Sequence, residues 1–189
     1  NIRVMGGTVL PCGVVGKDLR GRMLLRKVRQ EGIDTGGVVY DPNRPTTLKT
    51  RVIAHSQQVV RFDREFTEEI SKQATQHIIN FVKKHIRNVR SLIIEDYGKG
   101  VITPYLLKSI GALAKKHGVF TLVDPKEKHF AYYRGITVMT PNLREAEAAA
   151  RRRPDESNIP LPEIGRRLLK RFGCQAVVVT LGEDGMCVF

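Results

Sequence analysis

The stretch that decides the fold runs from Ser91 to Lys126 and reads SLIIEDYGKGVITPYLLKSIGALAKKHGVFTLVDPK. It predicts a strand at Ser91–Glu95, a helix at Thr103–His117 with a proline in its first turn, and a second strand at Val119–Val123. Short apolar strands that alternate with helices are typical of a parallel sheet that is buried on both faces. The fold class indicated here is therefore α/β.

The same alternation continues to the end of the chain. Further strands are predicted at Ile136–Thr140, at Ala176–Thr180 and from Gly185 to Phe189, and further helices at Asn142–Arg151 and Pro162–Phe172. No repeat or linker interrupts the chain, so residues 1–189 are expected to belong to one domain.

The N-terminal third begins differently. The first residues resemble the tail of a helix, followed by a strand at Thr8–Val15 and an amphipathic helix at Asp18–Glu31. A long helix is expected at Thr67–Asn88, opened by a capping pattern at its first residues.

Between these elements lies a segment with the period of β-strands. Two β-rich stretches, Thr46–Ala54 and Gln57–Phe62, are joined by a turn at His55-Ser56. This pattern predicts a small antiparallel lid over about residues 38–63, outside the main sheet. An exposed edge of such a lid favours pairing with another subunit, so a homodimer through the lid is expected.

Composition narrows the possible partners. The net charge of +13 is compatible with nucleic-acid binding, but only 6% of the residues are aromatic and no basic strand carries interleaved aromatic residues. The basic cluster at 166–171 follows the period of a solvated helix face. We therefore expect no nucleic-acid partner and, because no apolar run approaches about 18 residues, no membrane partner. Three cysteines without CxxC spacing indicate a cytoplasmic location.

Polar side chains or glycines follow four of the predicted strands. Ligands of open parallel sheets bind beyond the carboxyl ends of the strands. Carboxylates, lysines, an amide and a glycine-rich turn at one edge suit a phosphate-bearing ligand with a metal ion. The residues concerned are Asp96, Lys99, Asp124, Lys126, Asn142, Glu145, Thr180, Gly182 and Gly185.

Each of these motifs also has a purely structural explanation. Asn142 is a good helix N-cap with Glu145 as its partner, and either Asp96 or Asp124 could be a turn residue. The glycine-rich turn could simply connect two strands of a hairpin. The order of the motifs along successive strand ends favours the functional interpretation. The five histidines are scattered and are interpreted as solvated.

The succession of motifs resembles the ribokinase-like (PfkB) family of sugar kinases. The resemblance covers nearly the whole chain and rests on DYGKG at 96–100, VDPK at 123–126, TPNLRE at 140–145 and VTLGEDG at 179–185. Within the family, the stretch at 124–145 and the lid are similar to kinases of D-glycero-D-manno-heptose 7-phosphate. The resemblance implies a ribokinase-like, three-layer fold with a mostly parallel sheet and a small antiparallel β lid.

The resemblance also implies the site residues. Asn142 and Glu145 match the NxxE motif that organises magnesium and phosphate, and Thr180, Gly182 and Gly185 match the loop that approaches the phosphates of ATP. Residues Asn1–Gly7 match the end of a helix that lines the sugar pocket. The residues expected on the side of the sugar phosphate are Lys49, Arg51, Gln57, Arg61, Asp96, Lys99 and Lys126.

The implied reaction is the phosphorylation of heptose 7-phosphate by ATP, with Mg²⁺, at the anomeric hydroxyl. The product, a 1,7-bisphosphate, would serve ADP-heptose and lipopolysaccharide core synthesis. The family's GxGD motif, which carries the catalytic aspartate, is absent from the 189 residues and is expected after Phe189, as the first sugar-binding strand is expected before Asn1. The chain alone is therefore expected to be inactive. The alternatives are a ribokinase-like kinase of another sugar and a non-catalytic fragment or binding module.

Overall fold

The computed structural model describes residues 1–153 and 155–189, which form two compact units. The first unit contains Asn1–Val82 and Lys99–Val101, and the second contains Lys83–Gly98 and Ile102–Phe189. In the described residues, no helix combines the length and the apolar character needed to cross a bilayer.

The first unit begins with two strands and the helix between them, continues with the two strands of the lid, and ends in a long helix. In chain order they are β1 (Cys12–Gly16), α1 (Leu19–Gln30), β2 (Gly37–Asp41), β3 (Leu48–Ala54), β4 (Gln57–Arg64) and most of α2 (Lys72–His85). Strands β1 and β2 pair in parallel, whereas β3 and β4 form a separate antiparallel pair. The predicted lid is thus confirmed for β3 and β4, but its predicted start near residue 38 is wrong, because β2 is a parallel partner of β1.

Helix α1 begins where the sequence predicts, at Asp18. One oxygen of its side chain accepts hydrogen bonds from the Gly21 amide (2.8 Å) and the Thr46 hydroxyl (2.7 Å), and the other accepts from the Thr46 amide (2.9 Å). These hydrogen bonds, with that of Gly21 first, lower the pKa of Asp18 to about 2. Asp18 therefore caps the helix and also fixes the chain just before β3.

One prediction for this unit is confirmed and another is wrong in detail. Residues 1–7 close like the end of a helix: Gly6 has a φ angle of 83°, and the amides of Gly6 and Gly7 donate to the carbonyls of Arg3 (3.0 Å) and Ile2 (2.9 Å). Helix α2 starts at Lys72 and not at Thr67, because the Ser71 hydroxyl caps it by accepting from the Ala74 amide at 3.1 Å. The amide of Ile70, just before this cap, donates to the carbonyl of Gly100 at 3.0 Å. This hydrogen bond holds residues 67–70 outside the helix.

The second unit is the α/β part. Its remaining elements are β5 (Ser91–Glu95), α3 (Pro104–His117), β6 (Phe120–Asp124), β7 (Val138–Met139), α4 (Leu143–Ala150), α5 (Leu161–Phe172), β8 (Ala176–Thr180) and β9 (Met186–Val188). Strands β5 to β8 are parallel neighbours in chain order, and β9 adds antiparallel to β8. The mostly parallel sheet expected from the alternation is confirmed.

The core of this unit consists of apolar strand residues and one face of each helix. Val123, Met139, Val177 and Val179 are fully buried, and so is Leu168 of α5. Strand β7 is shorter than predicted because Thr121 and Thr137 exchange side-chain hydrogen bonds with each other's amides, at 3.0 and 2.8 Å. These side-chain bonds replace the backbone ladder before Val138.

The basic cluster at 166–171 is only partly a solvated helix face. The guanidinium of Arg167 pairs with Glu156 and Glu163 and donates to the Ala150 carbonyl at 3.1 Å. Arg171 donates to the Ala149 carbonyl at 2.6 Å. Both arginines therefore satisfy carbonyls at the C-terminal end of α4, which accounts for part of the positive charge of the chain.

Candidate active site

The carboxyl ends of β5 to β8 meet at one edge of the second unit. The Thr180 amide donates to the Pro141 carbonyl at 3.0 Å, and Asn142 forms a parallel bridge with Thr180. At the other end of this edge, the amide of Asp96 donates to the Asp124 carbonyl at 3.1 Å. The expected proximity of the turn at 142–145 to Thr180 is confirmed.

Asn142 and Glu145 form a complete capping box at the start of α4. The Asn142 side-chain oxygen accepts from the Glu145 amide (2.9 Å), and Oε2 of Glu145 accepts from the Asn142 amide (3.1 Å). Oε1 of Glu145 lies 3.9 Å from the ammonium of Lys126. The structural explanation of this motif is therefore correct, and it leaves Oε1 available for a further interaction.

Acidic side chains crowd the ends of β5 and β6. Burial, followed by the negative charges of Glu95 and Glu145, raises the pKa of Asp124, while Lys126 opposes this shift. A cation placed among these carboxylates would relieve their repulsion. Oxygen donors of this kind are the ligands that magnesium prefers.

The donor set at this edge could supply only part of the ligands of a magnesium ion. Within residues 1–153 and 155–189, no three His, Cys, Asp or Glu side chains converge closely enough to hold a metal by themselves. Magnesium is commonly held by only one or two carboxylates together with substrate phosphates and water. Glu145 and Asp124 are the residues that could supply those carboxylates, whereas the Asn142 oxygen is already engaged as a helix cap.

The glycine-rich loop connects β8 to β9. Gly182 and Gly185 have φ angles of 66° and 86°, and a Cβ at either position would meet no atom within 4 Å. Glycine is therefore needed there for the backbone conformation and not for close packing. The Leu181 amide donates to the Gly185 carbonyl at 2.8 Å, which closes the loop beside Thr180.

Asp96 lies at the end of β5, but its side chain is buried. Oδ1 accepts from the Gly98 amide at 2.7 Å, and Oδ2 lies 2.5 Å from Nδ1 of His129 and accepts from the hydroxyl of Tyr133. With both oxygens engaged and the residue only 4% exposed, Asp96 does not present its carboxylate to a sugar, contrary to the expectation.

Sequence reasoning missed His129 and Tyr133. His129 was interpreted as solvated, but its side chain is only 14% exposed and is paired with Asp96. The signal that could have found it is the run HFAYY at 129–133, separated by four residues from the end of β6, because aromatic and imidazole groups cluster there outside any predicted helix.

The lid hairpin of the first unit has two different faces. In its register Lys49 lies opposite Asp63 and Arg51 opposite Arg61, whereas Val52 lies opposite Val60 on the other face. Asp63 pairs with both Lys49 (3.5 Å) and Arg61 (3.0 Å), while the guanidinium of Arg51 has no hydrogen bond or ion pair with any described residue. The alternation thus brings Lys49, Arg51 and Arg61 together, with Gln57 next to the turn.

Lys99 belongs to the first unit, where its ammonium pairs with Glu65, which directly follows β4. The second oxygen of Glu65 is buried and has no hydrogen-bond partner among the described residues. Lys99 is therefore held by the base of the lid hairpin in the first unit, whereas Lys126 belongs to the second unit.

The comparisons with known proteins agree with this architecture. The chain is 42% identical over 191 residues to the bifunctional protein HldE of Geobacter sulfurreducens, an alignment that covers 100% of this chain and 38% of that protein. The tetrameric inhibited form of phosphofructokinase-2 from Escherichia coli superposes with a TM-score of 0.70 at 17% identity and covers 100% of this chain and 61% of that one. Arabidopsis thaliana ribokinase complexed with ribose and ATP gives 0.62 at 17% identity, with 94% and 56% covered.

These similarities establish the ribokinase-like fold, and the chain spans about two fifths of the length of the curated relatives that it matches. The pattern described as pfkB family carbohydrate kinase matches residues 1–189. The chain belongs to the pfkB family of carbohydrate kinases.

Proposed function

We propose that the protein containing this chain transfers a phosphoryl group from ATP to the anomeric hydroxyl of D-glycero-D-manno-heptose 7-phosphate. The product would be the 1,7-bisphosphate that leads to ADP-heptose and lipopolysaccharide core synthesis. The observation that carries the proposal is the bridge between Asn142 and Thr180, which joins the NxxE turn to the glycine-rich loop at one sheet edge. The similarity to HldE proteins supports the choice of sugar.

Phosphoryl transfer depends on positioning and on stabilisation of negative charge. Magnesium, when bound, would neutralise part of the negative charge of the phosphates. Glu145 would hold this ion through Oε1, with Asp124 nearby, and Lys126 would contribute a positive charge at the same edge. The phosphates of the nucleotide would bind at the loop 180–185 by accepting hydrogen bonds from backbone amides.

The sugar phosphate would be covered by the charged face of the lid. Arg51 is the best candidate for contact with the 7-phosphate, because its guanidinium has no partner among the described residues whereas Lys49 and Arg61 share Asp63. Arginine binds phosphate with two parallel hydrogen bonds, which suits this role.

We also propose that a second copy of the chain covers the apolar face of the lid. Phe62, which is 60% exposed, stands on this face with Val52 and Val60. A two-stranded hairpin is only marginally stable alone, so burial of this face would stabilise it. In sedimentation, Phe62→Lys should dissociate the dimer, while Gln30→Lys on α1 adds the same charge and should not. A wild type that stays monomeric at high concentration would refute this assembly.

The compartment is proposed to be the cytoplasm. Cys12, Cys174 and Cys187 are all free thiols, which is typical of a reducing environment.

The function is tested with the complete protein, Mg²⁺ and ATP. Turnover of heptose 7-phosphate should exceed that of fructose 6-phosphate and ribose by at least about 100-fold in kcat/KM, with phosphorus NMR showing a new anomeric phosphate. A better turnover of another sugar would favour the alternative kinase, and no turnover of any sugar would favour a binding module. The 189-residue chain alone is expected to be inactive, because its sequence lacks the GxGD motif.

A further inference from the structure

Asp96 is the centre of a buried polar cluster that joins two strand-end segments of the second unit. The carboxylate receives donors from Gly98 on its own loop and from His129 and Tyr133, which follow β6. A buried carboxylate is costly unless hydrogen bonds satisfy it, and these three donors do so. The cluster therefore fixes the turn after β5 against the segment at 127–133.

Tyr133 extends this cluster towards the candidate active site. Its hydroxyl donates to Asp96 and at the same time accepts from the Lys126 amide at 3.2 Å. Burial, followed by the hydrogen bond with Asp96, raises the pKa of Tyr133, so the phenol stays protonated and remains a donor. The side chain is fully buried, so water does not compete for these hydrogen bonds.

The contacts continue without a break to the edge of the sheet. Lys126, whose backbone is held by Tyr133, places its ammonium 3.9 Å from Glu145. Glu145 is locked to Asn142 by the capping box, and Asn142 bridges to Thr180. A second link supports the start of this series, since the ammonium of Lys128 donates to the Gly98 carbonyl at 3.1 Å.

We propose that Tyr133 and His129 are positioning residues for phosphoryl transfer, which act by holding Lys126 and the turn after β5 in place around the buried carboxylate of Asp96. This inference rests on the proposed kinase function. Neither side chain needs to touch the substrate, because Tyr133 acts through the backbone of Lys126 and His129 acts through the carboxylate of Asp96. An error of about 1 Å in such positioning can cost about 100-fold in rate.

The decisive variant is Tyr133→Phe in the complete protein, because it removes one hydroxyl and keeps the ring. It should lower kcat by about 10- to 100-fold and leave KM for ATP within about twofold. The matched control is Tyr132→Phe, since Tyr132 is 45% exposed and its hydroxyl has no hydrogen-bond partner among the described residues. This control should keep the wild-type kcat.

His129 is tested by the contrast between two substitutions. In His129→Asn an amide nitrogen can take the place of Nδ1 and donate to Asp96, whereas His129→Leu removes the donor. The asparagine variant should retain several-fold more activity than the leucine variant. Equal loss in both would show that the ring only fills space and would overturn the role of His129.

A readout without substrate separates this inference from the proposed function. In Tyr133→Phe the amides of Gly98 and Lys126 should exchange with solvent deuterium at least about tenfold faster, while those of the α5 core should not change. Faster exchange with reduced kcat on whichever sugar the wild type accepts supports the positioning role, even if that sugar is not heptose 7-phosphate. Unchanged exchange, or unchanged kcat beside an active wild type, overturns it. A wild type that phosphorylates no sugar overturns both proposals.

Discussion

Asn142 and Thr180 are joined by a parallel bridge across the carboxyl edge of the sheet, next to the 3.0 Å hydrogen bond from the Thr180 amide to Pro141. This relationship places the start of α4 beside the start of the glycine-rich loop. It also means that the helix cap Asn142 stands where nucleotide and metal are proposed to bind. Stability and activity can therefore be separated only by substitutions that keep the cap.

Glu145→Gln is such a substitution. Glutamine also serves in a capping box, so the thermal midpoint should stay close to that of the wild type. The loss of the negative charge should lower kcat by about 100-fold or more and raise the magnesium concentration needed for activity. Both quantities are measured in the same preparation of the complete protein.

The control for this variant is the N-cap of another helix, α3, which takes no part in the turn at 142–145. Thr103 caps α3 by accepting from the Leu106 amide at 3.1 Å, and Thr103→Ala should destabilise the protein by about 1 kcal/mol without a comparable loss of kcat. If Glu145→Gln lowered the thermal midpoint as much as Thr103→Ala and kept its kcat, Glu145 would have only a capping role.

The alternation of strands and helices was readable in the sequence because each strand is a short apolar run and each helix carries a clear stop. The ends of the helices and strands were harder to predict where side-chain hydrogen bonds replace hydrogen bonds of the backbone. Thr121 and Thr137 shorten β7 through their hydroxyls, and Ser71 moves the start of α2. No pattern of apolar residues records such local bonds.

The candidate site also has a part that could be predicted from the sequence and a part that could not. The residues at the strand ends could be predicted because topology alone brings them to one edge. The burial of Asp96 could not, since it depends on His129 and Tyr133, which are 33 and 37 residues away. A carboxylate after a strand has the same sequence signature whether it faces a ligand or a buried tyrosine.

A prediction for the lid concerns Arg51. Replacing Arg51 by methionine removes the guanidinium and keeps much of the apolar stem, so we expect KM for heptose 7-phosphate to rise by about tenfold or more, while KM for ATP changes little. The control is Arg26→Met on the exposed side of α1, which should leave both constants unchanged. Steady-state kinetics that show equal effects of the two variants would remove Arg51 from the sugar site.

The turn of the lid offers a test of stability. His55 and Ser56 have φ angles of 49° and 65°, as in a type I′ turn, a conformation that Asn-Gly adopts with less strain. The double substitution His55→Asn with Ser56→Gly should stabilise the hairpin by about 1 kcal/mol and slow proteolysis within 48–64. The reversed order, His55→Gly with Ser56→Asn, is the matched control and should gain less. A faster cleavage of the Asn-Gly variant would argue against this turn type.

The last prediction concerns acid and the Asp18 cap. Hydrogen bonds from the Gly21 amide and then from the Thr46 amide hold the pKa of Asp18 at about 2, below its ordinary value near 4. A group whose pKa is lowered on folding stabilises the folded state above its ordinary pKa, and this contribution disappears as the pH falls through the lowered value.

Asp18→Asn keeps one acceptor oxygen but loses the charge. The variant should therefore melt below the wild type at pH 6, and the difference between the two midpoints should shrink between about pH 4 and pH 2. Asp34→Asn is the control, because within the described part of the chain the Asp34 side chain makes one hydrogen bond, with the Gly36 amide at 2.8 Å, and its substitution should cost less at pH 6. A difference between wild type and Asp18→Asn that stayed constant from pH 6 to pH 2 would mean that the charge of Asp18 contributes nothing to the link between α1 and β3.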